Sequence, residues 1–276
     1  MAPQAGQQHP TTWLKISAVV FVATGLPLFF SPATWVDLLV AVETDGVQWH
    51  LARCIGVQMT AIGTVMWLMS RSRGVETAAT CYTAVIVKDV LCIMMTLHAR
   101  ANFPGILKTP AFYTLLSISV CCFCTTLYHL LKLGWPVGQK IYSGNTLSNA
   151  LIIFDSMMAL LIGSAWISFP DWILKRQVVF ELDGSHWFLG RLMGCLFIAT
   201  QTFSSQSVYW SDARDRKFWL CGRLMICLGI LTAQIWSQVA YHQWWAGTHW
   251  VGISLLSTWA VIAAWYAYNV HKNKFD

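Results

Sequence analysis

Residues 43–56 read Glu-Thr-Asp-Gly-Val-Gln-Trp-His-Leu-Ala-Arg-Cys-Ile-Gly, and residues 181–194 read Glu-Leu-Asp-Gly-Ser-His-Trp-Phe-Leu-Gly-Arg-Leu-Met-Gly. Without a gap, seven positions are identical at a separation of 138 residues: Glu43/Glu181, Asp45/Asp183, Gly46/Gly184, Trp49/Trp187, Leu51/Leu189, Arg53/Arg191 and Gly56/Gly194. The same separation pairs Gly25 with Gly163, Pro32 with Pro170 and Tyr128 with Tyr266. A match that reaches across both halves of a chain restricts its fold to a duplicated unit.

The solvent of that unit follows from composition. Only 11% of the 276 residues are charged and 56% are hydrophobic, where soluble domains carry about 25% charged residues. A membrane-spanning helix needs roughly 20 mostly apolar residues. Eight such runs stand out, at 14–30, 49–70, 77–97, 111–131, 147–169, 187–210, 218–240 and 250–268. The first four correspond to the last four through the repeat. The sequence therefore predicts an all-α, multi-pass integral membrane protein of eight transmembrane helices in two parallel four-helix repeats. An even number of spans per repeat makes both copies enter from the same side. Repeat 1 covers 14–133 and repeat 2 covers 147–270. A polar N-terminal tail (1–13), a linker (134–146) with Pro136 and three glycines, and a polar C-terminal tail (271–276) complete the chain.

Basic residues set the expected orientation. Lys15, Arg71, Arg73, Lys132, Lys140, Arg214, Arg216, Lys217, Lys272 and Lys274 fall on the side of the termini, against Arg100, Lys108, Lys175 and Arg176 opposite. Both termini are thus expected in the cytoplasm, or in the matrix of a mitochondrion. The net charge of +6 is scattered over short loops, and a nucleic-acid partner needs a patch or stripe. Eight of the 16 tryptophans lie at predicted helix boundaries, where their amphipathic rings settle at the membrane interface.

Within the repeated stretch, Asp45-Gly46 and Asp183-Gly184 are turn chemistry. Trp49, Arg53 and Gly56 follow on one helix face, as do Trp187, Arg191 and Gly194. The glycine admits a second backbone at close range. An arginine one turn below the interface costs about 2.5–3.5 kcal/mol if unpaired. Glu43 and Asp45 are the expected partners of Arg53, and Glu181 and Asp183 those of Arg191. Such pairs either pin the loop to its bundle or mark the mouth of a pathway. Gly25 and Pro32 closing the first helix, the acidic-glycine loop, and Arg53-x-x-Gly56 opening the second resemble the DoxX-like group of small four-helix membrane proteins. The chain looks like two such modules fused. The resemblance implies a four-helix bundle per repeat and transfers no catalytic residue. It departs from the group in being double and in carrying Lys88-Asp89.

Four ionisable residues lie deeper. Lys88 and Asp89 fall in mid-helix three, Asp155 in helix five and Arg223 in helix seven. Asp155 and Arg223 are expected at one depth, where they cancel. Lys88 and Asp89 point about 100° apart on a helix and cannot face each other fully. Their repeat equivalents are Ile226 and Cys227, so the pair breaks the symmetry. Charges inside a bilayer mark either interhelical glue or a pathway. His50, His98, His186, His242 and His249 map to one side, but at helix ends, and do not recur between the repeats. Cys121, Cys122 and Cys124 lie on one helix and cannot converge on one metal. No metal and no cofactor is expected beyond bound lipids.

Three functions remain open. The first is a channel, transporter or small-ligand binding protein, with Lys88, Asp89, Asp155 and Arg223 along the path and Arg53 and Arg191 at its mouths. The second is a non-catalytic accessory subunit of a membrane complex, or a homo-oligomer. The third is a redox protein holding haem or quinone. No sequence signature of an enzyme is present.

Overall fold

A computed structural model describes residues 11–138 and 146–272. The polar tail up to residue 10, linker residues 139–145 with Lys140, and residues 273–276 with Lys274 lie outside the described residues. The described residues form ten α-helices. In the first half these are α1 (Thr12–Phe30), α2 (Pro32–Leu39), α3 (Gly46–Met69), α4 (Val75–Asn102) and α5 (Thr109–Lys132). In the second they are α6 (Thr146–Ser168), α7 (Pro170–Gln177), α8 (Gly184–Ser207), α9 (Ala213–Ala240) and α10 (His249–Lys272).

Two of these helices were not anticipated. Pro32 and Pro170 stop the preceding helix, as proline does to the residue before it. Each then serves as the first residue of a short helix, α2 or α7. There its fixed φ is an advantage and its missing N–H is no loss.

The bounds of α2, α3 and α4 recur 138 residues later in α7, α8 and α9. So do two isolated bridges that tie loops together, Val40 with Leu107 and Val178 with Trp245. In each, two backbone hydrogen bonds lock the end of the short helix to the loop before the last long helix. Ala41 N–H donates to Ile106 O (2.9 Å) and Lys108 N–H to Leu39 O (3.0 Å). Their counterparts run from Val179 to Trp244 (3.1 Å) and from Ala246 to Gln177 (2.7 Å).

Packing departs from a simple picture of four consecutive helices closing on themselves. α1 packs on α3 and α6 on α8, within each half. The α4–α5 hairpin, however, lays α4 against α8, and the α9–α10 hairpin lays α9 against α3. α4 and α9 thus each cross to the central helix of the other half, and α3 meets α8 at the centre. Gly25 and Gly56 explain the closeness of α1 and α3. A Cβ on either would sit 2.6 Å from the other's carbonyl oxygen, so only glycine lets the backbones touch. Gly163 and Gly194 do the same for α6 and α8, at 2.9 and 2.8 Å.

Among the described residues, seven helices are long and apolar enough to cross a membrane; α8 is the long helix that does not qualify. It carries Ser, Thr, Gln and Arg along its length. Most of its residues are buried among α3, α4 and α6, so its surface is not selected for lipid.

Candidate functional site

The repeated stretch folds into a brace between the two central helices. Asp45 caps α3 by accepting from the backbone N–H of Val47 (2.8 Å) and Gln48 (3.1 Å). Asp183 caps α8 in the same way through Ser185 and His186. Carboxylates at helix N-termini complement the macrodipole. The two caps face each other. His186 Nε2 lies 2.8 Å from Asp45 Oδ2 and its Nδ1 2.8 Å from Asp183 Oδ1. Gln48 donates to Ser185 Oγ, which donates to Asp183. With both ring nitrogens on carboxylates, His186 is an imidazolium that donates twice. The Asp183 N–H, 3.3 Å from the same Nδ1, therefore has no lone pair to reach. Burial alone would push the His186 pKa down; the hydrogen bonds and charges of Asp183 and Asp45 overcome this and raise it to about 9. Burial pushes the Asp183 carboxyl up, but hydrogen bonds from His186 and Ser185 outweigh it and hold it well below the usual range.

The expected ion pairs of Arg53 and Arg191 do not form. Among the described residues no ion pair joins Arg53 to Glu43 or Asp45, or Arg191 to Glu181 or Asp183. The aspartates are occupied as caps, Glu43 and Glu181 are exposed, and each arginine lies two turns down its helix. Arg53 instead reaches α9. Its guanidinium is 3.4 Å from Tyr241 Oη and 5.7 Å from that ring's centroid. Arg191 Nε donates to the Ile167 carbonyl at 3.1 Å, at the C-terminal end of α6, where orphan carbonyls need donors.

The deep charges make two pairs of different quality. Asp155 (α6) and Arg223 (α9) approach to 2.9 Å. Trp259 Nε1 donates to Asp155 Oδ1 at 2.8 Å, and Ser204 Oγ donates to Oδ2. Arg223 also donates to Thr200 (3.4 Å) and Ser204 (3.2 Å) and sits 5.0 Å from both the Trp219 and Trp259 rings. Lys88 and Asp89 do meet, contrary to the expectation from their angular separation, because the flexible lysine stem bends its ammonium onto the neighbouring carboxylate. That ammonium is Asp89's sole partner among the described residues: neither buried oxygen accepts a hydrogen bond of good geometry. The Lys88 ammonium also lies 5.1 Å from the Phe21 ring.

None of these four groups lies in the main cavity, although Asp155 and Arg223 border it through a shared wall, Trp259. The cavity measures about 460 Å³ and lies between α6–α8 and the α9–α10 hairpin, with α3 at one end. Phe154, Trp166, Phe197 and Trp259 form flat apolar walls. Its polar lining includes His50, Gln177, Gln234 and Trp245, and among the described residues no Asp, Glu, Lys or Arg lines it. His50 joins that polar end together. Its ring is 5.1 Å from that of Trp245, and its Nδ1 is 3.3 Å from the carbonyl of Ala233, next to Gln234. Sequence reasoning placed His50 and Trp245 at a helix end and passed over Gln234; a glutamine inside an apolar run was the available signal. Among the described residues, no group of three His, Cys, Asp or Glu is placed to hold a metal.

The profile of a family described as a domain of unknown function (DUF8292) matches residues 15–268, nearly the whole chain, which therefore belongs to that family. No curated protein and no solved structure gives a match.

Proposed function

We propose that this member of the DUF8292 family is an eight-span membrane protein that binds a small apolar ligand in the cavity between α6–α8 and the α9–α10 hairpin. The observation that carries the reading is the cavity itself. Its 460 Å³ falls in the range of ligand sites, about 300–1,000 Å³, and it combines apolar walls with a few convergent polar groups. An ion or proton pathway has less support. Asp155 and Arg223 are saturated by each other and by their neighbours, and an uncharged cavity offers an ion no compensation for lost water.

The eight-span, two-repeat arrangement has its own support. α8 has 24 residues and is about 36 Å long at 1.5 Å per residue, enough for a hydrocarbon core of about 30 Å. Equivalent positions meet at both ends of the central pair. Asp45, His186 and Asp183 join at one end. At the other, Thr77 donates to Asp215 at 2.8 Å, and these two are repeat equivalents. A pseudo-twofold axis through both junctions runs along the central helices, hence along the membrane normal, as in a parallel repeat. The duplicated unit is similar to a DoxX-like module, and the basic residues put both termini in the cytoplasm or matrix. If only seven helices crossed, tags on the two termini would report opposite sides.

The functional test is native mass spectrometry of the full chain released from its own membrane in mild detergent. A discrete bound small molecule is expected in the unaltered protein and should be lost from Met193→Trp, which fills the cavity. Recovery only within a larger assembly, with an empty cavity, would replace this reading by that of an accessory subunit.

A further inference from the structure

The cavity's polar end carries unpaired hydrogen-bonding groups of a defined kind. Among the described residues, the indole N–H of Trp245, which is 6% exposed, has no acceptor, and Gln234 Oε1, also in the lining, has no donor. Behind them His249, fully buried, stacks on Trp245 with ring centroids 3.9 Å apart. Its Nδ1 is 2.7 Å from Gln238 Oε1. An amide oxygen only accepts, so Nδ1 carries the proton and Nε2 is left as a lone pair, also without a partner. Buried polar groups are nearly always paired, and those that are not call for an explanation. Two of these atoms belong to residues that line one otherwise apolar cavity and the third to the residue stacked on Trp245, and a polar group of a ligand would pair with them.

The donor–acceptor pattern identifies that group. A hydrocarbon satisfies none of the three atoms. A ketone or aldehyde oxygen can accept from Trp245 but gives nothing to Gln234 or His249. A carboxylate or an ammonium would enter a cavity with no opposite charge in its lining and lose its hydration uncompensated. A hydroxyl accepts from Trp245 and donates to Gln234 or to His249. We infer that the cavity takes a neutral lipophilic alcohol, its hydroxyl held by Trp245 and Gln234 and its hydrocarbon body along the aromatic walls. The inference rests on the cavity being a ligand site.

The two halves of the chain differ at this point. The residues 138 positions from His50, Gln234 and Trp245 are Phe188, Thr96 and Leu107. The three residues of the polar end are therefore not repeated in the other half.

The test uses the full chain in detergent and tritiated dodecanol. Displacement is measured with unlabelled dodecanol, dodecane, the matching methyl ketone, dodecanoate and dodecylamine at equal mole fraction in the micelle. Dodecanol should displace best, about tenfold better than dodecane, since one or two net hydrogen bonds are worth a factor of that order. The ketone should fall between, and both charged heads should be weakest. Trp245→Phe keeps the stacked ring and removes the N–H; it should reduce the advantage of alcohol over alkane about fivefold. Gln234→Leu removes the acceptor and should weaken dodecanol while leaving the ketone unchanged. If dodecane binds as well as dodecanol, or if both variants keep the unaltered order of heads, the alcohol inference falls and the ligand site stands. If no member of the series binds, the ligand site falls with it.

Discussion

The two buried charge pairs raise the same alarm in the sequence and are opposite cases in the structure. Asp155 and Arg223 come from helices far apart in the chain, and each brings further partners: Trp259, Ser204 and Thr200 fill the remaining hydrogen-bonding capacity. Lys88 and Asp89 are neighbours on one helix and have chiefly each other, with Asp89 fully buried and Lys88 partly exposed. A buried pair is stable when hydrogen bonds satisfy what the Coulomb attraction leaves over. The first pair is therefore a structural joint between α6 and α9. The second is an under-coordinated charge whose retention the packing does not explain.

The largest test of that difference is Arg223→Met. It leaves the half-buried Asp155 without its counter-charge and should cost roughly 3–5 kcal/mol, read as a fall in the denaturation midpoint of the purified protein. The double variant Asp155→Leu/Arg223→Met should recover most of the loss, because no charge is stranded. Recovery of nothing would mean that the pair does more than hold α6 to α9. Lys88→Met strands Asp89 too, but the carboxylate can take up a proton and has no other partners to disappoint. Its cost should be smaller, roughly 1–3 kcal/mol, in the same assay.

How much of this is visible beforehand depends on the range of the interaction. Local rules reach the ends of helices in part: Pro32 and Pro170 place the breaks, whereas Asp45 and Asp183, read as turns, prove to cap α3 and α8 ahead of the expected starts at 49 and 187. The Gly25–Gly56 contact is also readable, since a conserved spacing inside the repeat needs no knowledge of the third dimension. The crossing of α4 and α9 between the halves leaves no trace in periodicity. Because of it, Arg53 finds Tyr241, just past the end of α9, rather than the acids of its own loop. The cavity is hidden for the same reason: it joins His50 of α3 to Gln234 of α9 and to Trp245, which follows it. Hydropathy misjudges α8, because a helix surrounded by protein is free to be polar.

A third charged cluster adds a case between the two pairs, and it responds to pH. His186 is raised to about 9, above its unfolded value of about 6.5. A raised histidine stabilises the fold fully below the unfolded value and progressively less as pH rises through the folded one. Stability should fall between about pH 6.5 and 9, by at most about 3 kcal/mol. His186→Gln should flatten that slope, since glutamine is the residue at the equivalent position 48 and can still cap. A slope that persists in the variant would assign the titration to another group.

The smallest effect should come from Asp89→Asn. It removes the buried carboxylate but leaves the Lys88 stem, which is partly exposed and can carry its ammonium toward the membrane surface. Among the described residues nothing else donates to Asp89, so little hydrogen bonding is lost, and the change in stability should stay within about 1 kcal/mol. That near-silence is informative when set beside Asp155→Asn, which disrupts an acceptor for Arg223, Trp259 and Ser204 and should cost more, roughly 1–3 kcal/mol. If both substitutions cost the same, the contrast between a saturated joint and an under-coordinated charge is wrong, and Asp89 must have a partner that the folded chain alone does not supply.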